Sequence, residues 1–151
     1  PTVVYILPDD LSEFDAVFVL GGIWWYSWSY LPPPPVGEAQ LEILIEYLQN
    51  GGSIYMDGAE VGHPAQESLT EMLGFERFTQ GAEFAIENLY GKPNTPAENF
   101  VLQYNYQTIA DYYIDTLALT DGHLFFNSQD GRTRGVFHMT ETYRSIVFSG
   151  I

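Results

Sequence analysis

The stretch that decides the predicted fold runs from Glu38 to Gly62 and reads EAQLEILIEYLQNGGSIYMDGAEVG. Its first half predicts a helix over Glu38 to Asn50, and the Gly51-Gly52 pair then provides a stop signal. A buried strand is predicted over Ser53 to Met56, ending at an Asp-Gly pair. The helix prediction depends on an apolar stripe at i, i+3, i+4 and i+7, formed by Leu41, Leu44, Ile45 and Leu48.

Outward from this stretch, both flanks continue an alternation of strands and helices. On the N-terminal side, Val3 to Leu7 predicts a short strand, and the apolar run Asp15 to Leu20 predicts a strand buried on both faces. On the C-terminal side, Pro64 to Leu73 predicts a second helix that stops at Gly74. The order strand, helix, strand, helix is typical of a parallel sheet covered by helices.

The second half of the chain changes character. Short apolar runs alternate there with turn signals rich in Gly, Asn and Asp, which predicts antiparallel strands added to one edge of the sheet. The predicted fold class is therefore α/β with a β-rich C-terminal half. The candidate strands are Phe84 to Ile86, Phe100 to Tyr104, His123 to Phe126, Gly135 to His138 and Tyr143 to Ser149.

Composition limits the classes of partner. Twenty Asp and Glu residues against five Lys and Arg residues give a formal net charge of −15, which argues against nucleic acid and anionic membrane surfaces. The absence of Cys excludes thiol catalysis, disulfides and thiolate metal sites. No apolar run reaches transmembrane length, so no membrane insertion is expected. No nucleotide-binding or zinc-binding motif occurs, so the sequence predicts neither a cofactor nor a metal.

Four stretches resemble a known family: SEFDAVFVLGG, the Glu38 to Gly62 block, YYIDTL and YRSIVFSG. Together they resemble the class I glutamine amidotransferase-like domain found in large secreted bacterial multi-domain proteins. The resemblance implies a flavodoxin-like, three-layer α/β sandwich with a mostly parallel sheet, located outside the cell or on its surface. Because that family has one more strand and helix at its start, residues 1 to 151 are expected to form a single domain that is a fragment lacking these elements.

In enzymes of that family, a Cys nucleophile stands between two glycines at a sharp strand-to-helix turn. The matching stretch here is Gly58-Ala59-Glu60-Val61-Gly62, with Glu60 in the place of the Cys. A carboxylate cannot readily form and release the thioester intermediate, so amidotransferase activity is not expected.

Asp57, Glu60 and His63 follow one another at three-residue spacing around this turn, and His138 stands near the end of a later strand. The carboxyl end of a parallel strand is where open α/β sheets place their sites, so these four residues are candidate catalytic residues of a hydrolase. The alternative interpretation is structural. Asp57 and Glu60 would then cap the helix that begins near Pro64, and His138 would be a solvated residue at a strand end.

An aromatic segment precedes four consecutive prolines, and it offers a candidate binding surface. Exposed rings could stack on a sugar or a peptide, dock a neighbouring domain or subunit, or cover the core of the domain itself. The sequence therefore predicts a non-catalytic accessory or binding domain that acts through protein or glycan contacts. Its alternative is a hydrolase. The candidate binding residues are Trp24, Trp25, Tyr26, Trp28 and Tyr30.

Overall fold

The computed structural model describes residues 7–21, 36–58, 61–79, 81, 85–103 and 114–149. The aromatic segment with its five candidate binding residues, most of the first predicted strand, and Glu60 lie outside the described residues. The elements are β1 (Val17–Leu20), α1 (Glu38–Gln49), β2 (Ser53–Asp57), a 3₁₀ turn (Pro64–Gln66), α2 (Glu67–Met72), β3 (Phe75–Thr79), β4 (Asn88–Gly91), β5 (Val101–Gln103), β6 (Thr116–Leu119), β7 (His123–Ser128), β8 (Thr133–Met139) and β9 (Arg144–Phe148).

Seven of these strands form one mixed sheet in the order β1-β2-β9-β8-β7-β4-β5. Only the pairs β1–β2 and β2–β9 are parallel, and the other four pairs are antiparallel. Strands β3 and β6 form a separate antiparallel pair. Strand β1, helix α1 and strand β2 form a parallel strand-helix-strand crossover unit, and its helix and second strand are the elements that the Glu38 to Gly62 stretch predicts.

Both described helices lie on one face of the seven-stranded sheet. The inward residues of β2, Ile54 and Met56, are 3% and 0% exposed and pack against the helices together with Val136 and Val147 from β8 and β9. This is the larger of two hydrophobic cores, and we call this side of the sheet the helix face. The helix residues in this core are Leu41, Leu44, Tyr47 and Leu48 of α1, Leu69 of α2 and the adjacent Leu73.

The opposite face of the sheet carries a smaller core without a described helix. It lies over β7, β8 and β9, where Phe125, Phe126 and Phe148 pack against residues of strand β4 and of connecting segments. We call this side the open face, because its cover does not extend to β1 in the described part of the chain. The residues that cover it are Ile86, Leu89, Ala97 and Ile114.

The predicted flavodoxin-like three-layer α/β sandwich is wrong. A three-layer sandwich needs helices on both faces of a mostly parallel sheet, whereas the described helices are two, both short and both on one face. The described part of the second half explains the difference, because short turns there join β7 to β8 and β8 to β9. Antiparallel hairpins therefore take the place of further strand-helix-strand units. The β-rich second half itself is as predicted.

Two glycines explain the sharp passage from α1 to β2. Gly51 adopts a positive φ of +95°, which favours glycine after a helix C-terminus. A Cβ atom on Gly52 would collide with the Tyr47 ring, so only glycine lets the chain pass this close to the helix. The Tyr47 hydroxyl donates to the Phe14 carbonyl at 2.8 Å and fixes the loop before β1 to the same corner.

Other boundaries depart from prediction in smaller ways. The second predicted helix divides into the 3₁₀ turn and α2, and Ala85 and Ile86 are not part of a strand. The strands β3, β4 and β6 were not predicted. No helix among the described residues is both long enough and apolar enough to cross a membrane.

Candidate functional site

Four residues at the carboxyl ends of β1 and β2 form a block on the open face, which we call the β1–β2 patch. They are Phe18, Leu20, Tyr55 and Asp57. Phe18 lies beside Tyr55 and Leu20 beside Asp57 in the parallel register of the two strands. Phe18 is 68% exposed and Leu20 is 71% exposed, whereas Tyr55 and Asp57 are half-buried. Two large apolar side chains thus stand in solvent beside a phenol and a carboxylate.

The alternation of side chains along a strand creates this patch. Successive residues of β1 point to opposite faces, so Val17 enters the core of the helix face while Phe18 and Leu20 point away from it. The same holds for β2, where Ile54 and Met56 are buried. The prediction that β1 is buried on both faces is therefore wrong for its open face.

The two rings of the patch are in contact. The centroids of the Phe18 and Tyr55 rings are 5.5 Å apart, with their planes tilted by 38°. This distance lies in the range for favourable aromatic pairs, so the two rings support one another. The same register row continues through Ile146, Phe137 and His123, of which Ile146 and Phe137 are half-buried and His123 is exposed.

The polar half of the patch is a phenol beside a carboxylate. Tyr55 and Asp57 lie two residues apart on β2, so both side chains point to the open face and each perturbs the pKa of the other. Burial raises the pKa of Asp57 above its ordinary value, and the hydrogen bonds from Tyr55 and from the Gly21 N–H oppose that rise. Burial, together with the Asp57 charge and hydrogen bond, raises the pKa of Tyr55 to about 12. At neutral pH the phenol therefore stays a donor.

His63, one of the candidate catalytic residues, serves a local structural role. Its Nδ1 atom accepts a hydrogen bond from the Ala65 N–H at 3.2 Å, so it caps the 3₁₀ turn that begins at Pro64. The sequence indicated a cap at this point but assigned it to Asp57 and Glu60. Of these, Asp57 is the last residue of β2 and lies beside Tyr55 on the open face, and Glu60 lies outside the described residues.

His138 lies on the helix face, away from Asp57. Its Nδ1 atom is 2.8 Å from the Met72 carbonyl oxygen at the end of α2, and the Tyr143 hydroxyl donates to the same oxygen at 2.8 Å. In the sheet register His138 stands across from Ser145, which stands across from Ile54. Since Ile54 and Asp57 are three residues apart on one strand, their side chains point to opposite faces. His138 and Asp57 therefore do not converge.

A buried ionic network lies near the β7–β8 turn. Arg134 is fully buried, and its guanidinium donates to Asp130 at 3.0 Å, to the Ser128 hydroxyl at 2.9 Å and to the Ile114 carbonyl at 2.6 Å. These contacts tie the β7–β8 turn to the segment before β6. The network therefore has a structural role. Among the described residues, no three His, Asp or Glu side chains gather where they could hold a metal ion.

The comparisons with known proteins find relatives by structure alone. No family model matches the sequence, and no curated protein matches it. Among solved structures, an exo-β-1,4-mannosidase from Opitutaceae bacterium strain TAV5 aligns with a TM-score of 0.59 and 10% identity over 95% of this chain and 22% of the enzyme. A cold-adapted β-galactosidase from Rahnella sp. R3 aligns with a TM-score of 0.58 and 11% identity over 94% of this chain and 21% of the enzyme.

These two likenesses concern the fold. The chain corresponds to about a fifth of the length of each glycoside hydrolase, so it is similar to one part of each enzyme. The resemblance to a class I glutamine amidotransferase-like domain is wrong, because the structural neighbours are parts of glycoside hydrolases and the sheet is mixed and β-rich. The fold of this chain thus occurs within proteins that act on carbohydrates.

Proposed function

We propose that this chain is a non-catalytic accessory module of a carbohydrate-processing protein, and that the β1–β2 patch contacts a glycan. The observation that carries the proposal is the exposure of Phe18 and Leu20 beside the Tyr55–Asp57 pair. Large apolar side chains that stand together in solvent mark interaction sites. The accompanying domains and a location outside the cell stay predictions.

The chemistry of the patch favours a sugar as the contact. A pyranose ring presents C–H groups on its faces and hydroxyl groups around its rim. An aromatic ring can pack against the C–H groups, and a carboxylate can accept hydrogen bonds from the hydroxyl groups. Phe18 supplies the exposed ring and Asp57 supplies the acceptor, two residue pairs apart along the two strands. The structural likeness to parts of a mannosidase and a galactosidase supports the same class of ligand.

The positions of the candidate catalytic residues favour a non-catalytic role. A hydrolase that uses Asp57 with a histidine needs the two groups within hydrogen-bond reach of one substrate. His63 is engaged as the cap of the 3₁₀ turn, and His138 binds the Met72 carbonyl on the other face of the sheet. Neither histidine stands beside Asp57 in the part of the chain that the structure describes.

The test is affinity electrophoresis of the purified chain in gels that contain galactomannan or β-1,4-galactan. We expect retardation by at least one of the two polysaccharides. Phe18→Ala should raise the dissociation constant about tenfold, because the lost apolar contact contributes ~1.4 kcal/mol to binding. The matched control is Phe78→Ala, because Phe78 is 64% exposed but lies on β3 of the two-stranded sheet. It should migrate as the unchanged chain does.

Three results would overturn the proposal. Free migration in both gels would remove the glycan contact. Association of the chain with itself, seen by sedimentation and lost in Phe18→Ala, would assign the patch to a protein contact instead. Turnover of nitrophenyl mannoside or galactoside by the isolated chain would show an enzyme and revive the hydrolase interpretation.

A further inference from the structure

The most exposed part of the β1–β2 patch is apolar, but its specificity must come from its polar half. Stacking on a ring discriminates weakly between sugars, whereas a fixed carboxylate requires a donor at one place. Asp57 is the last residue of β2, and its neighbour across the register is Leu20, which is 71% exposed. The carboxylate therefore stands at the edge of an accessible apolar surface.

The ring and the hydroxyl of Tyr55 can be given separate roles. The ring contacts Phe18 at a centroid distance of 5.5 Å, and the side chain shares its face of β2 with Asp57, two residues further along, so that its hydroxyl is available as a donor to the carboxylate. A carboxylate offers about four acceptor positions, and one donated hydroxyl uses one of them. A donor held at one oxygen restricts rotation of the carboxylate, so the remaining acceptor positions are preorganised for a ligand.

From this geometry we infer that Asp57 selects the ligand by accepting from sugar hydroxyls, and that Tyr55 positions its carboxylate. The inference rests on the proposed glycan function and deepens it. The ligand class is a neutral, hydroxyl-rich glycan. Polymers of uronic acids are rejected, because their carboxylates would approach Asp57 on a chain whose net charge is −15.

The first test is calorimetric titration with mannohexaose, a neutral β-1,4-linked probe, and with polygalacturonate, an anionic one. The unchanged chain should bind mannohexaose and should show no heat with polygalacturonate. Asp57→Asn, which keeps the shape but loses the charge and one acceptor, should bind mannohexaose at least tenfold more weakly. The matched control is Glu46→Gln, an exposed carboxylate on α1 at the helix face, which should bind as the unchanged chain does.

A double-mutant cycle tests the positioning role of Tyr55. Tyr55→Phe keeps the ring and removes the hydroxyl, so it should weaken mannohexaose binding by about threefold to tenfold. In the Asp57→Asn background the same change should have no effect, because the carboxylate that the hydroxyl holds is already gone. A purely structural role for the hydroxyl would give the same loss in both backgrounds.

The outcomes separate this inference from the proposed function. If the unchanged chain binds neither polysaccharide nor mannohexaose, the proposed glycan function is wrong. If Phe18→Ala loses binding while Asp57→Asn stays within twofold of the unchanged chain, the glycan function stands and the role of Asp57 is wrong. Binding of polygalacturonate as tight as that of mannohexaose would likewise overturn the selection for neutral glycans. Urea unfolding of each variant shows whether it is folded.

Discussion

The helix face and the β1 end of the open face differ in the burial of their side chains, although strands of the same sheet supply both. On the helix face, residues such as Leu44 and Met56 are fully buried and hold α1 and α2 to the sheet. On the open face near β1, Phe18 and Leu20 remain mostly in solvent. Buried apolar area stabilises the fold, whereas exposed apolar area is free to contact something else. The helix face is therefore buried against α1 and α2, whereas the β1 end of the open face leaves apolar side chains available for the contact that we propose.

The largest expected effect comes from one truncation on the helix face. Leu44→Ala should lower the free energy of unfolding by about 2–5 kcal/mol, because it removes a fully buried side chain and leaves a cavity. Phe18→Ala should change it by no more than about 0.5–1 kcal/mol. Urea unfolding measures both. Equal losses in the two variants would mean that Phe18 is buried in the core rather than exposed.

The buried ionic network predicts the next largest effect. Asp130→Asn should lower the free energy of unfolding by about 2–3 kcal/mol, because it removes the charge of the carboxylate that the fully buried Arg134 contacts at 3.0 Å. The Asp130 side chain is 12% exposed, and this partial access to solvent keeps the loss below that of a fully buried pair. The comparison variant is Asp9→Asn, an exposed carboxylate in the loop before β1, which should unfold like the unchanged chain.

The same network predicts a pH dependence with a definite sign. Burial alone would raise the pKa of Asp130, but hydrogen bonds from Ser128 and Arg132 and the Arg134 charge together hold it below its ordinary value of 3.8. Ionised Asp130 therefore stabilises the fold above the unfolded pKa, and this contribution is lost as the pH falls below 3.8 through the folded value. Thermal unfolding between pH 2 and pH 6 should show a steeper acid loss for the unchanged chain than for Asp130→Asn.

A smaller effect is expected where α2 meets the sheet. Tyr143→Phe removes the hydroxyl that donates to the Met72 carbonyl, but His138 still contacts that oxygen. The loss in free energy of unfolding should be about 0.5–1.5 kcal/mol, the usual contribution of one hydrogen bond. Thermal denaturation resolves a change of this size. A loss above 3 kcal/mol would show that the His138 contact cannot hold the helix end alone.

The smallest effect belongs to the polar half of the patch. Asp57→Asn should shift the free energy of unfolding by less than about 0.5 kcal/mol at pH 7. Burial raises the pKa of Asp57, so the ionised form costs stability as the pH rises above 3.8 through the folded value, and the amide avoids that cost. The Tyr55 hydroxyl favours the ionised form and so offsets part of the gain. A large loss in urea unfolding would make Asp57 a structural residue.

Local patterns in the sequence were sufficient to predict the β1-α1-β2 crossover unit. The stripe of α1, the glycine pair and the strand that follows lie within one continuous stretch, so β1, α1 and β2 could be predicted nearly as they occur. Short-range turn signals likewise indicated the β-rich second half. Strand β9, however, pairs with β2 across about ninety residues of chain, and no local pattern specifies that partner.

The candidate site was less accessible to sequence reasoning. An apolar run such as that of β1 looks the same whether one face or both are buried, so the exposure of Phe18 depends on where the helices lie. Asp57 was identified from its place at a strand end, but its partner was not. The alternation of Tyr55 and Asp57 on β2 is the signal that places the two on one face.

The most direct test of the central claim is a titration of isotopically labelled chain with mannohexaose, followed by amide chemical shifts. Binding at the β1–β2 patch should change shifts mainly at the carboxyl ends of β1 and β2, from Phe18 to Leu20 and from Tyr55 to Asp57, and leave α1 and α2 unaffected. Saturable shifts on the helix face, or no shifts at millimolar mannohexaose while the chain is folded, would contradict it.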